Sequence, residues 1–184
     1  NEAGLDLHLH TVGERASRTV LDGYEMAKNE LGDSLKVRVT CAHLEIQDDA
    51  DLDRFAKLGV IANFTPHWHA DDPKLYYHFL GEERAKKLFR CKTLWDSGAL
   101  VAFSSDNITF EDFTTWNPYL GMEIGMTRFA GEKTRTYEFN KNPEVCPPLD
   151  ERMNIEEMLI GFTINGAKQL GIETDYIMEY DDFM

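Results

Sequence analysis

Gly4-Leu5-Asp6-Leu7-His8-Leu9-His10, Val37-Arg38-Val39-Thr40-Cys41-Ala42-His43 and Ala99-Leu100-Val101-Ala102-Phe103-Ser104-Ser105-Asp106 are three short apolar runs. Each closes on a side chain that can bind a metal or carry a proton. His10 and His43 stand 33 positions apart, about one strand-plus-helix unit of ~30 residues. His43 and Asp106 stand 63 apart, about two such units, and the interval holds one further strand-like run, Val60-Ile61-Ala62-Asn63-Phe64-Thr65. In a parallel barrel of alternating strands and helices the strand C-termini open onto one face, where active sites sit. Two imidazoles and a carboxylate meeting there point to divalent-metal or general-base chemistry.

Helix-period segments separate the runs. In residues 14–31, Ala16, Val20, Leu21, Tyr24 and Ala27 recur at spacings of three and four, which predicts one buried stripe. Gly32 follows as a stop. Residues 49–58 predict a second helix with Leu52, Phe55, Ala56 and Leu58 inward and Gly59 at its end. Residues 81–97 predict a third, carrying Ala85, Leu88, Phe89 and Leu94, before Gly98 leads into the strand 99–103. Alternating strands and helices imply an α/β fold with parallel pairing. Near-continuous apolar strands suit a sheet covered on both faces.

Beyond Asp106 the rhythm changes. Asn117-Pro118 is a capping side chain followed by proline at the first helical position, and predicts a helix over 119–128. Residues 130–149 are polar and hold Pro143, Pro147 and Pro148, a long surface excursion. Asn154 and Glu157 are spaced as a reciprocal cap and open a helix running to Leu170, stopped by Gly171. Residues 172–184 are acidic and aromatic without a clear period.

With 184 residues the chain is one domain or part of a larger one. Its net charge of −14 opposes nucleic-acid phosphates, so no nucleic-acid partner is expected. No apolar run approaches the ~20 residues of a membrane span, and no membrane partner is expected. Asn1 is no natural initiator, so upstream sequence is expected to have been removed. Cys41, Cys91 and Cys146 are odd in number and lack CxxC spacing, which favours free thiols and a cytoplasmic setting.

Each candidate has a bland alternative. A lone histidine is more often structural, but His8 and His10 are two apart on a strand and share a face. Glu45 follows His43 closely enough to orient it. A Ser-Asp after a strand is usually a turn. Pro66-His67-Trp68-His69 reads either as a loop with a packed tryptophan or as a wall against a substrate. His78 reads as structural. Arg84 and Arg128 could meet an anionic substrate group, although each is the kind of residue that forms surface ion pairs. No phosphate-cradling glycine loop, GxSxG turn or HExxH is present.

The chain resembles the metal-dependent amidohydrolase superfamily, specifically the amidohydrolase family 3 branch that includes N-substituted formamide deformylase-like enzymes. Leu9-His10-Thr11-Val12-Gly13-Glu14-Arg15-Ala16 is similar to that family's strand-five signature, and Val39-Thr40-Cys41-Ala42-His43-Leu44-Glu45 to its strand six. Asp53-Arg54-Phe55-Ala56-Lys57-Leu58-Gly59-Val60 with Thr65-Pro66 resembles the approach to strand seven. Leu80-Gly81-Glu82-Glu83-Arg84-Ala85 and Ser97-Gly98-Ala99 through Ser105-Asp106 resemble the approach to strand eight and that strand itself. Ile155-Glu156-Glu157-Met158 and Thr163-Ile164-Asn165-Gly166-Ala167 look like the late helix.

The resemblance implies strands five to eight of a (β/α)8 TIM-type barrel: one partial hydrolase domain over 1–184, with 1–172 matching and 173–184 a tail. It implies His10, His43 and Asp106 as metal ligands, with Asp106 also the catalytic aspartate, taking a proton from activated water and returning it to the departing amine. His67, Arg84 and Arg128 become candidate substrate contacts. The implied cofactor is a divalent metal, zinc before others, at less than full occupancy. The implied partner is a small molecule with an amide-type C–N bond.

The departures matter as well. The strand-one HxH, the strand-four ligand and the closing β-domain signature after Gly171 have no counterpart here. Glu14 replaces an aspartate, and Asn107-Ile108 replaces alanine-proline. The expectation is about half a barrel with half a metal shell, bare sheet edges at residues 5–10 and 99–105, and self-association or pairing with the missing half. The competing expectation is a non-catalytic half-barrel that binds a ligand or partner.

Overall fold

The computed structural model describes residues 4–70, 74–106, 116–132, 134 and 141–172. Strands β1 (Leu7–Thr11), β2 (Val39–His43), β3 (Ile61–Phe64) and β4 (Val101–Phe103) form one sheet in sequential order, every pair parallel. Between them run α1 (Glu14–Leu31), α2 (Leu52–Leu58), α3 (Lys74–Leu80), α4 (Glu82–Ala85) and α5 (Cys91–Asp96). After β4 come α6 (Pro118–Thr127), α7 (Ile155–Phe162) and α8 (Ile164–Leu170). The α/β class and parallel pairing expected from the alternation are present. Among the described residues no helix is long and apolar enough to cross a membrane.

Strand alternation divides the sheet into two faces. Leu9, Val39, Cys41, Ala62, Phe64, Val101 and Phe103 pack with Leu21 of α1, Phe55 of α2 and Leu94 of α5 in the main core. The opposite face carries a row set by the register: His10 beside Ala42, Ala42 beside Asn63, Asn63 beside Ala102. Ala42, Asn63 and Ala102 in that row are buried, while the histidine at its end is exposed.

Local signals fix most boundaries. α1 spans the expected residues, and Gly32, Gly59 and Gly171 end α1, α2 and α8 with φ of 52°, 73° and 70°. Asn117 accepts the Tyr119 N–H, and Asn154 and Glu157 close the reciprocal cap in both directions.

Two expected helices are broken, each by a distant partner. The segment 81–97 divides into α4 and α5 because Phe89 takes a left-handed φ of 54°. Its N–H leaves the helix to donate to Glu45 O at 2.8 Å. The segment 154–170 divides at Thr163, where φ −115° and ψ −84° leave the helical region. The turn lets Asn165 Nδ2 donate to Val101 O at 2.8 Å. That carbonyl lies on the outer edge of β4, so α8 closes an edge that was expected to be bare. The edge of β1 stays open, with Leu5 and Leu7 exposed.

Residues 173–184 and much of the excursion 130–149 lie outside the described residues, as does Asn107-Ile108. All three cysteines are buried and unbridged. Burial pushes the Cys41 thiol up to about 12, so it carries no thiolate at neutral pH.

Candidate functional site

His10 and His43 meet. His10 Nδ1 lies 2.5 Å from His43 Nε2, and the rings stack at 4.6 Å between centroids. The register alone would keep them apart. His43 lies beside Thr11, one position beyond the Ala42 that faces His10, so strict alternation puts its side chain on the other face. The backbone breaks that alternation: His43 and Leu44 have φ of 78° and 55°. Two consecutive non-glycine residues in the left-handed region cost energy, of order 1–3 kcal/mol each. Here the cost turns an imidazole toward its partner.

Trp68 forms the wall behind the pair, stacked on His43 at 5.0 Å and 16°. It belongs to the short 3-10 turn Pro66–Ala70 that follows β3. Its neighbour His67 is buried, with Nε2 donating to Asn117 O at 3.2 Å. Gly121 of α6 makes that packing possible, because a Cβ there would collide with the His67 ring.

Burial pushes the His43 imidazole below the usual histidine range; the Asp106 charge opposes this, and His10 and His8 reinforce it. His8 is pushed down by burial and by His10, with Asp106 again opposing. Asp106 is exposed at the end of the β4 segment, with a left-handed φ of 47° that aspartate tolerates. It acts on the imidazoles through space but does not join them: among the described residues no group of three His, Cys, Asp or Glu side chains is placed to hold an ion. The donor set present fits a divalent cation in part. Two imidazole nitrogens converge, burial favours the neutral, ligating form of His43, and its Nδ1 has no hydrogen-bond partner among the described residues.

The arginines go to different work. Arg84 pairs with Glu14 at the start of α1, Nη2 to Oε2 at 2.6 Å. Arg128 is fully buried, at 0% exposure. Its guanidinium donates to the carbonyls of Cys146 at 2.8 Å, Pro147 at 2.9 Å, Leu88 at 3.0 Å and Phe89 at 3.4 Å. It ties the α4–α5 break to the segment around Pro147 and has no surface from which to meet a substrate. Sequence reasoning gave Trp68 no firm role, and nothing local distinguished it from a packed loop residue.

His69 is also enclosed, between Phe89 at 4.9 Å and the edge of Phe64, with both ring nitrogens unpartnered among the described residues. Burial holds its imidazole well below the usual range, and the Arg128 charge adds to this. The unfolded chain therefore binds a proton below about pH 6.5 that the folded chain refuses, and stability falls with acidification below that point. The slope contributed is about 1.4 kcal/mol per pH unit. Urea midpoints at pH 7, 6 and 5 for wild type and His69→Leu should diverge in this way. Parallel pH dependences in the two proteins would contradict it.

The sequence model of the amidohydrolase family matches residues 1–179. The chain is 26% identical over 156 residues to a Bacillus subtilis protein named as an amidohydrolase, YtcJ, covering 84% of this chain and 27% of YtcJ. It is 30% identical over 107 residues to LONG AFTER FAR-RED 3 of Arabidopsis thaliana, covering 58% of this chain and 18% of that protein. The crystal structure of an uncharacterized metal-dependent hydrolase from Pyrococcus furiosus superposes with a TM-score of 0.68 at 26% identity, covering 94% of this chain and 30% of that one. One from Pyrococcus horikoshii OT3 shares the fold, with a TM-score of 0.66 at 24% identity, covering 95% and 31%. The chain thus spans between 18% and 27% of the length of the curated relatives it matches. It belongs to the amidohydrolase family.

Proposed function

We propose that the chain forms strands five to eight of a (β/α)8 barrel belonging to a metal-dependent hydrolase that cleaves an amide-type C–N bond in a small molecule. The observation that carries the reading is the meeting of His10 Nδ1 and His43 Nε2 at the C-terminal ends of adjacent parallel strands, a hydrogen-bonding contact of 2.5 Å that would open to about 3.3 Å around a tetrahedral ion with bonds of ~2.0–2.1 Å. In this reading the two imidazoles hold a divalent cation, with zinc first because it favours nitrogen ligands. Such an ion supplies activated water at neutral pH and polarises a carbonyl. Asp106 holds or passes the proton, Trp68 walls the site against bulk water, and His67 and Arg84 are the candidate substrate contacts. Arg128 is omitted, since its donors are spent on backbone carbonyls.

Two histidines are half of a tetrahedral shell, so this chain by itself should bind zinc weakly and hydrolyse simple N-acyl substrates poorly. Elemental analysis after dialysis should find well under one equivalent of metal, while calorimetry detects a weak site. A full equivalent retained together with brisk turnover would overturn the half-site reading. No zinc binding at millimolar concentration would overturn the metal reading and favour a non-catalytic binding module.

The open edge of β1 carries a second proposal. Leu7, Leu9, Val20, Tyr24, Leu31 and Val37 are among the residues lining an apolar groove of 440 Å³ between β1 and α1. An unpaired strand edge beside apolar surface takes a partner strand. We expect the purified chain to pair there with a second copy, the acidic charge being screened beyond ~8 Å at physiological salt. Sedimentation equilibrium should show dimer, and Leu7→Lys should return it to monomer. A concentration-independent monomer in the wild type would sink the idea.

A further inference from the structure

The face of the sheet that carries His10 also holds a hydrogen-bond chain that the metal reading does not use. Ser104 Oγ donates to Asn63 Oδ1 at 2.7 Å. Asn63 Nδ2 donates to Gln169 Oε1 at 3.0 Å. Gln169 Nε2 in turn lies 3.4 Å from His8 Nδ1. The chain joins the end of β4, the buried Asn63 of β3, the last turn of α8 and the edge strand β1.

Each amide in this chain has a direction. Asn63 spends its oxygen on Ser104 and its NH2 on Gln169, so Gln169 turns its own NH2 toward the His8 ring. An NH2 group only donates, so the Nδ1 it meets must be bare, and a neutral ring then carries its proton on Nε2. His8 sits two residues before His10 on one strand, and alternation puts both rings on one face. Asn63 is 3% exposed and half-buried Gln169 is anchored through it, so the amide that meets the exposed His8 ring is itself held from the buried side of the chain.

We infer that His8 is a positioning residue of the site, locked by Ser104, Asn63 and Gln169 as an Nε2–H donor beside the His10–His43 pair. A donor there suits an oxygen acceptor, the carbonyl or carboxylate of a ligand held at that pair. The tautomer rests on hydrogen-bond geometry alone; the ligand's position rests on the metal reading above. Through Gln169, α8 becomes part of the site.

Long-range 1H–15N NMR of the imidazoles, with His8→Gln to assign the resonance, tests this without catalysis. Wild type should show His8 as a single Nε2–H tautomer. Gln169→Glu, whose carboxylate only accepts, should invert it to Nδ1–H, and Gln169→Leu should leave a mixture. Adding zinc and acetate should then shift the wild-type His8 Nε2–H. A wild-type Nδ1–H form or mixture overturns the lock, and so does a tautomer unmoved by Gln169→Glu. Should the Gln169 variants fail to fold, the wild-type tautomer decides alone. His10 and His43 resonances that respond to zinc while His8 ignores acetate overturn the donor role and leave the metal reading standing. Resonances that ignore zinc overturn the metal reading and the donor role, while the tautomer result stands independently.

Discussion

Replacing Arg128 with methionine is expected to lower Tm by roughly 10 °C. The guanidinium is fully buried and no carboxylate is among its hydrogen-bond partners; four backbone carbonyls, from Leu88, Phe89, Cys146 and Pro147, accept its N–H groups. Its carbon also lies over the Phe89 ring, 6.0 Å from the centroid. Methionine fills similar volume but leaves the Leu88 and Cys146 carbonyls without a donor among the described residues, in a site that water does not reach, while Phe89 O keeps the Cys91 N–H and Pro147 O the Cys146 thiol. An orphaned buried polar group costs about 1–3 kcal/mol, and two at once bring the loss to about 3–5 kcal/mol. In a chain of this size 1 kcal/mol moves Tm by about 2–4 °C. Arg128→Lys should recover only part of the loss, because one ammonium cannot reach acceptors on two separate segments. Calorimetry on the three proteins settles it. A methionine variant melting within a degree or two of wild type would show that water or backbone shifts satisfy the carbonyls.

Arg128 also shows where the sequence stops being readable. Whatever depends on nearby residues is legible: the α1 stripe, the glycine stops, the Asn154–Glu157 cap and the βα alternation that dictates a parallel sheet. Whatever depends on a distant partner is not. A lone arginine after a helix looks like any surface arginine until the carbonyls of Leu88 and Pro147 arrive from either side. The helix pattern of 81–97 is sound in period, and it breaks only because Glu45 O and Arg128 claim the backbone at Leu88 and Phe89. The site divides in the same way. That His10 and His43 end adjacent strands can be read from their spacing. That His43 must adopt φ 78° to reach His10 cannot, because alternation alone sends it to the opposite face. Trp68 and Gln169 reach the histidines only through the fold.

The sharpest test of the paired histidines is a double-mutant cycle in zinc affinity. A complete four-ligand zinc site is worth about 10–16 kcal/mol, or roughly 3 kcal/mol per ligand, which corresponds to about 100-fold in affinity. His10→Ala and His43→Ala should therefore each weaken zinc binding by about 100-fold. If the two nitrogens 2.5 Å apart serve one ion, removing the first leaves a lone imidazole with little hold on it. Removing the second then costs little more. The double variant should match the single variants, far from the product of about 10,000-fold that uncoupled contributions to one site would give. Asp106→Asn should change affinity only a few-fold, because its carboxylate acts on the imidazoles through space without joining them at coordinating distance. Near-UV circular dichroism of Trp68 offers a structural control for His10→Ala and Asp106→Asn, which keep its stack on His43. Additive losses would mean that the two imidazoles contribute independently to zinc affinity, without the coupling that a shared two-nitrogen site requires. No loss in either single variant would mean that the convergence of the two rings is only packing, and that zinc, if bound, is held elsewhere.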